Sequence, residues 1–181
     1  YKSKGIEIGK EEAVLMASAI ISDTLLLKSP TTTKYDKNAL KELGEIANID
    51  INKYGMEMLK AGTDLSDFTA EELIELDAKS LDKDGTKFVI AQVNTASIDD
   101  ILKRETELKN AINKKIQKEG LKLFVLAITD ILNSNSEIIA LGEKANVISK
   151  AFGKKLENDK ALLEGVVSRK KQILPNIDQN I

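Results

Sequence analysis

The stretch Leu121-Lys122-Leu123-Phe124-Val125-Leu126-Ala127-Ile128 is apolar at every position except Lys122. A run rich in branched residues and lacking strict alternation predicts a β-strand buried on both faces. Such a strand needs helices to cover it, and the preceding pattern supplies one. Ser97 caps a helix predicted to reach Glu119, with Ile101, Leu108, Ile112 and Ile116 on one face and charges opposite, and Gly120 stops it. At about 1.5 Å per residue this helix would span about 35 Å, enough to cover one side of a sheet.

Outward from that core, the polar turn Asn133-Ser134-Asn135 leads to a second strand, Ser136 to Leu141, predicted to pair with the first as a hairpin. Upstream, Lys79 to Leu81 and Lys87 to Val93 flank Asp82-Lys83-Asp84-Gly85, a hairpin turn in which Gly85 supplies positive φ. Thr69 with Glu72 is a capping box for a short helix through Leu76. Downstream, Glu143 to Phe152 reads as a helix ended by Gly153, and Leu156 and Ala161 to Leu163 as short strands. This order of helices and strands predicts an α/β fold with a mixed sheet flanked by helices.

The first third of the chain is helical in pattern. Lys10 to Leu26 carries apolar residues around most of its circumference, which predicts a largely buried helix. A carboxylate within it, Asp23, would then need a partner to offset its desolvation. The alternative is an aspartate near a frayed helix end, bonded to backbone or to the Thr31-Thr32-Thr33 run. Two further helices follow, one after Asp36 ending at Asn48 and one opened by Asp50 and closed by Gly62. The polar segment Thr63 to Asp67 is a connector and marks a domain boundary.

Composition narrows the chemistry. With 181 residues and 42% hydrophobic content the chain can fill a real core. Charged residues make up 31% but nearly cancel, to a net of −2, so no global basic field exists for nucleic acid or an anionic membrane. Any anion site must be local. The absence of cysteine removes disulfides, zinc thiolates and cysteine nucleophiles together. The apolar run Ala13 to Leu27 is interrupted by Ser18, Ser22 and Asp23 and is too short to cross a bilayer.

Gly165-Val166-Val167-Ser168-Arg169-Lys170-Lys171-Gln172 places three adjacent cations after an apolar run. Arg169 is one of two arginines in a chain whose positive charge is otherwise lysine, and its planar fork of donors suits phosphate oxygens. A phosphate site and an ordinary basic turn on a lysine-rich surface both fit these residues. Whether the stretch lies in a strand, a loop or the first turn of a last helix is left open by the pattern.

Ser168-Arg169-Lys170-Lys171-Gln172, followed by Pro175, resembles the C-terminal signature of the family II, manganese-dependent inorganic pyrophosphatases of the DHH phosphoesterase superfamily. Four further matches keep the family's order and separation: Ile21-Ser22-Asp23-Thr24 with Lys28-Ser29-Pro30-Thr31, Leu76-Asp77-Ala78-Lys79, Ile90-Ala91-Gln92-Val93-Asn94, and Ile128-Thr129-Asp130-Ile131-Leu132. Together they span nearly the whole chain. The resemblance implies that residues 1–63 are the C-terminal helices of a partial DHH metal-binding domain. It implies that residues 64–181 are the DHH-associated α/β domain that binds substrate.

The activity implied is hydrolysis of pyrophosphate to two phosphates by the intact protein, with two manganese ions and with magnesium accompanying the substrate. Carried over by position, Asp23 resembles a manganese ligand, and Lys79, Arg169 and Lys170 resemble the catalytic cations that hold the phosphates. Ser168 and Lys171 belong to the same substrate-binding motif and are expected chiefly to fix its loop. The near-zero net charge and the lack of a bilayer-crossing run or signal-peptide pattern fit a cytoplasmic protein with neither nucleic acid nor membrane as partner, and a homodimer is one state open to the intact protein.

One departure is large. The family's metal site draws on histidines and aspartates of a His-x-x-x-Asp-x-Asp motif and an Asp-His-His triplet, whereas this chain has no histidine and begins at Tyr1. The expectation is therefore a C-terminal portion of a longer enzyme, inactive by itself. Two other readings stay open on the sequence: another DHH-superfamily phosphoesterase such as an exopolyphosphatase, and a non-catalytic anion-binding module.

Overall fold

The computed structural model describes residues 4–181. They divide into two compact units, one up to Gly62 and one from Thr63 onward.

The first unit is three helices, α1 (Lys10–Thr24), α2 (Lys34–Ala47) and α3 (Ile51–Ala61), with α1 packed on both others. Two of the starts are capped. Thr33 and Asp36 form a reciprocal capping box on α2, and the Asp50 carboxylate accepts the Asn52 and Lys53 N–H groups on α3. Gly55 allows close packing, since a Cβ there would lie 2.5 Å from a Leu26 methyl.

Helix α1 differs from its sequence expectation in two ways. It buries only the stripe Ala13, Ala17, Ile21 and Thr24, and leaves Leu15 71% exposed. It also stops at Thr24, because Leu25, Leu26 and Leu27 all take left-handed backbone angles, with φ of 48°, 53° and 64°. Each such leucine costs about 1–2 kcal/mol. The turn is held by Thr24, whose Oγ1 accepts Leu27 N–H at 3.1 Å and whose carbonyl accepts Ser29 N–H at 2.8 Å. Asp23 is consequently exposed at a helix end, so the desolvation argument for a partner does not apply to it.

The second unit opens with the short helix α4 (Ala70–Leu73), started by the Thr69–Glu72 capping box but ending before Leu76. The strands are β1 (Ala78–Lys83), β2 (Thr86–Thr95), β3 (Leu123–Asp130), β4 (Asn135–Leu141) and β5 (Lys160–Glu164). They form one sheet in sequence order, antiparallel throughout except for the parallel pair β2–β3. A parallel neighbour requires a crossover, which the helices α5 (Ile98–Leu102) and α6 (Glu105–Glu119) provide. The expected single helix from Ser97 is thus two. Arg104 leaves helical geometry between them, with its Nη1 donating to the Phe68 carbonyl at 2.7 Å.

All eight residues of β3 are buried, and the first six alternate between two cores. Phe124, Leu126 and Ile128 join Val89, Ala91 and Val93 under α6, while Leu123, Val125 and Ala127 join Phe88 and Ile90 on the other face. Each fully buried Leu, Ile or Phe contributes about 1.5–3 kcal/mol. The second face is covered by α7 (Val147–Phe152) and by the C-terminal helix α8 (Leu174–Asn180). Residues 143–146, expected to be helical, are turns: Ala145 N–H bonds to the Gly142 carbonyl and Val147 N–H to the Lys144 carbonyl, three residues back instead of four, while Lys144 N–H is tied to the Lys122 carbonyl at 3.0 Å. Among the described residues no helix is long and apolar enough to cross a membrane.

Candidate phosphate-binding site

The second sheet face changes character along the strands. Phe88, Ile90, Val125, Ala127 and Ile138 are apolar, but the next positions on that face toward the carboxyl ends of β2 and β3 are Gln92, Thr129 and, on β4, Ser136. These side chains form a polar chain across three strands. Gln92 Nε2 donates to Thr129 Oγ1 at 2.8 Å, Thr129 and Ser136 hydroxyls are 2.8 Å apart, and Ser136 Oγ donates to the Val166 carbonyl at 2.7 Å. Thr129 and Ser136 are completely buried, so each hydroxyl needs these partners.

The basic segment is built on that chain. Residues 165–168 belong to no strand or helix, so their backbone groups must be satisfied by other means. Asn135 Oδ1 accepts Gly165 N–H, Gln172 Oε1 accepts both Val167 and Ser168 N–H, and Gln172 Nε2 donates to the Gly165 carbonyl, all within 2.9–3.1 Å. Gln92 closes the arrangement: its Nε2 donates to the Val167 carbonyl at 3.0 Å and its Oε1 accepts Arg169 N–H at 3.0 Å. The sequence left the form of this segment open, and it proves to be a π-helical turn, Arg169–Ile173, running into α8. Ser168 caps it, accepting Lys171 N–H on its Oγ at 3.2 Å. Such wide turns are rare and concentrate at functional positions.

Arg169 directs its guanidinium at Asp77. Nη2 donates to Oδ1 at 2.7 Å and Nε to Oδ2 at 3.3 Å, a bidentate pair between an arginine 18% exposed and an aspartate 58% exposed at the side chain. Asp77 immediately precedes β1, and its carbonyl accepts Gln92 N–H at 3.2 Å. Lys79 pairs with Ile90 across the ladder, so it projects from the same face as Asp77 and Gln92, about 7 Å along the strand from Asp77. Lys79, Lys170 and Lys171 are exposed, and among the described residues none of them is in an ion pair.

Of the sequence-designated residues, Lys79, Ser168, Arg169, Lys170 and Lys171 therefore lie in the second unit and Asp23 in the first. Lys79 and Arg169 share one face, linked through Asp77. Among the described residues no group of three or more aspartate, glutamate, histidine or cysteine side chains is placed to hold a metal ion. Asp23 alone does not make a metal centre. Asp77 and Gln92 lie within the family-like strings, and the sequence alone assigns them no role. The available signal was the Asp-x-Lys spacing at a strand start, which puts opposite charges on one face.

Residues 56–180 match the DHHA2 domain family. The chain belongs to that family. Over 175 residues it is 54% identical to the manganese-dependent inorganic pyrophosphatase of Bacillus subtilis, covering 97% of this chain and 57% of that protein. Among solved structures, a candidate family II inorganic pyrophosphatase of Methanococcus jannaschii superposes with a TM-score of 0.85 at 40% identity, covering 97% of this chain and 57% of that one. The DHHA2 chain thus spans well under two thirds of the length of these relatives.

Proposed function

We propose that this sequence supplies the substrate-binding part of a manganese-dependent inorganic pyrophosphatase, which hydrolyses pyrophosphate to two phosphates. The observation that carries the reading is that Gln92 and Thr129, toward the carboxyl ends of β2 and β3 where α/β sheets bind ligands, anchor the segment bearing Arg169, with Lys79 on the same sheet face opposite mid-strand Ile90. Lys79, Arg169 and Lys170 hold the phosphate oxygens, and Ser168 and Lys171 shape the loop. Three cations near one space repel one another when it is empty, so they serve an anion better than they serve stability. In this reading residues 1–63 are the end of a metal-binding domain and Asp23 one ligand of a manganese pair, while residues 64–181 form the substrate domain. The remaining donors come from elsewhere in the protein, and magnesium arrives with the substrate. The enzyme is read as a cytoplasmic homodimer that engages neither nucleic acid nor membrane.

The test is phosphate release from pyrophosphate with manganese, measured for this 181-residue chain and for the longer enzyme that carries it. The chain alone should be inactive. In the longer enzyme, loss of one charge-assisted contact of about 1.5–3 kcal/mol should lower kcat/KM roughly 10- to 150-fold for Lys79→Ala or Arg169→Ala. Full activity in either variant, turnover by the chain alone, or a preference for longer polyphosphate over pyrophosphate would overturn the assignment.

A further inference from the structure

The structure assigns Asp77 as a positioning residue that orients the Arg169 guanidinium toward the anion; the assignment rests on the pyrophosphatase reading above. A guanidinium has five N–H donors in a rigid plane. Asp77 takes the edge formed by Nε and Nη2, at 3.3 and 2.7 Å. That side-on geometry leaves both Nη1 hydrogens and the outer Nη2 hydrogen; the latter and the Nη1 hydrogen beside it form the end-on edge that suits two oxygens of a phosphoryl group. The carboxylate therefore buttresses the fork instead of occupying its substrate edge.

Both partners are fixed by one residue. Gln92 donates its backbone N–H to the Asp77 carbonyl at 3.2 Å and accepts the Arg169 N–H on its side chain at 3.0 Å, so the two backbones are held at a set separation. The Arg169 side chain is mostly covered and Asp77 is more than half exposed, which gives the pair one ordered member and one edge open to solvent. An ordinary surface ion pair would need neither the shared anchor nor the bidentate contact.

The experiment compares Asp77→Ala, Asp77→Asn, Arg169→Ala and the Asp77→Ala/Arg169→Ala double variant in the manganese-loaded enzyme carrying this sequence. It reads kcat and KM for pyrophosphate, pyrophosphate affinity of the metal-free protein by calorimetry, and Tm. Asp77→Ala should lower kcat/KM roughly tenfold and weaken pyrophosphate binding in the metal-free protein, with Asp77→Asn intermediate because it keeps one acceptor. In the Arg169→Ala background the Asp77 substitution should have no further effect. An Asp77→Ala loss of equal size with and without Arg169 would overturn the positioning role. So would wild-type kinetics in both Asp77 variants beside an impaired Arg169→Ala enzyme. Wild-type activity in Arg169→Ala would instead remove the phosphate-site reading itself. Should Asp77→Ala lower Tm enough to obscure its kinetics, the milder Asp77→Asn decides: unchanged kcat/KM and affinity there refutes the role.

Discussion

The side-chain carbonyl of Gln92 accepts the backbone N–H of Arg169 at 3.0 Å, across 77 positions of sequence. A residue of the interior strand β2 thereby fixes the first residue of the C-terminal turn. Gln92→Leu would remove acceptor and donors together, leaving Arg169 N–H and the Val167 carbonyl without partners. A loss of about 1–3 kcal/mol in stability is expected, read from the urea midpoint. The turn that carries the basic signature should loosen first, so amide exchange at 167–172 should rise more than exchange within β3. Uniform exchange across both segments would show that Gln92 supports the fold generally and not this turn.

Gly142 and Gly153 make a controlled pair. Both have positive φ, 110° and 65°, but a Cβ on Gly142 would lie 2.5 Å from the Lys122 carbonyl oxygen, whereas at Gly153 it would meet nothing. Gly153→Ala should cost about 1 kcal/mol for left-handed backbone alone. Gly142→Ala adds a backbone clash and should cost about 3 kcal/mol or more. Thermal unfolding of the two variants compares them directly, and equal losses would mean that the β4–α7 turn relaxes without difficulty.

Glu137 and Glu105 should respond to pH in opposite senses. Burial holds the Glu137 carboxyl above its ordinary 4.5, with Lys160 only partly offsetting it and Glu105 adding to the rise. Its charge therefore costs stability at neutral pH, and that cost fades as pH falls through the raised value and is gone below 4.5. Glu105 is the reverse: hydrogen bonds from Lys160 and then Lys109 hold it below 4.5, so its contribution is present above 4.5 and lost as pH falls through the lowered value. Glu137→Gln should stabilise at pH ~7 by a few tenths to about 1 kcal/mol, and match the parent at pH ~4. Glu105→Gln should destabilise at pH ~7 and retain part of that deficit at pH ~4. Chemical denaturation at the two pH values measures both. Parallel pH responses would show that Glu137 is not governed by burial.

Local signals in the sequence were sufficient for much of the fold. The apolar run at 121–128 could be covered only on two sides, and the Thr69–Glu72 capping box, Gly120 and Gly153 mark helix ends that local hydrogen bonding and short-range sterics dictate. Where the sequence misread the chain, a distant partner had intervened. Phe68 draws Arg104 out of what periodicity makes one helix, and the bond from Lys144 N–H to the Lys122 carbonyl accompanies tight turns at 143–146 in place of α-helix. Three consecutive left-handed leucines run against intrinsic preference, and no local rule would propose them.

The site divides along the same line. Arg169, Lys170 and Lys171 are legible as a cation cluster that suits either a phosphate or a basic turn, because charge and donor geometry are properties of side chains, whereas Lys79 enters only through the family resemblance. Which of them meet, and what holds them, is not. Asp77 reaches Arg169 only because an antiparallel pairing sets Asp77 beside Gln92 and a loop of no regular structure is fastened to Gln92 from the other end of the chain. Sequence determined which cations the chain carries; the sheet register and the bonds that anchor residues 165–169 decided the common face of Lys79 and Arg169 and the pairing of the Arg169 fork with Asp77, since those depend on contacts between positions that local propensity does not connect.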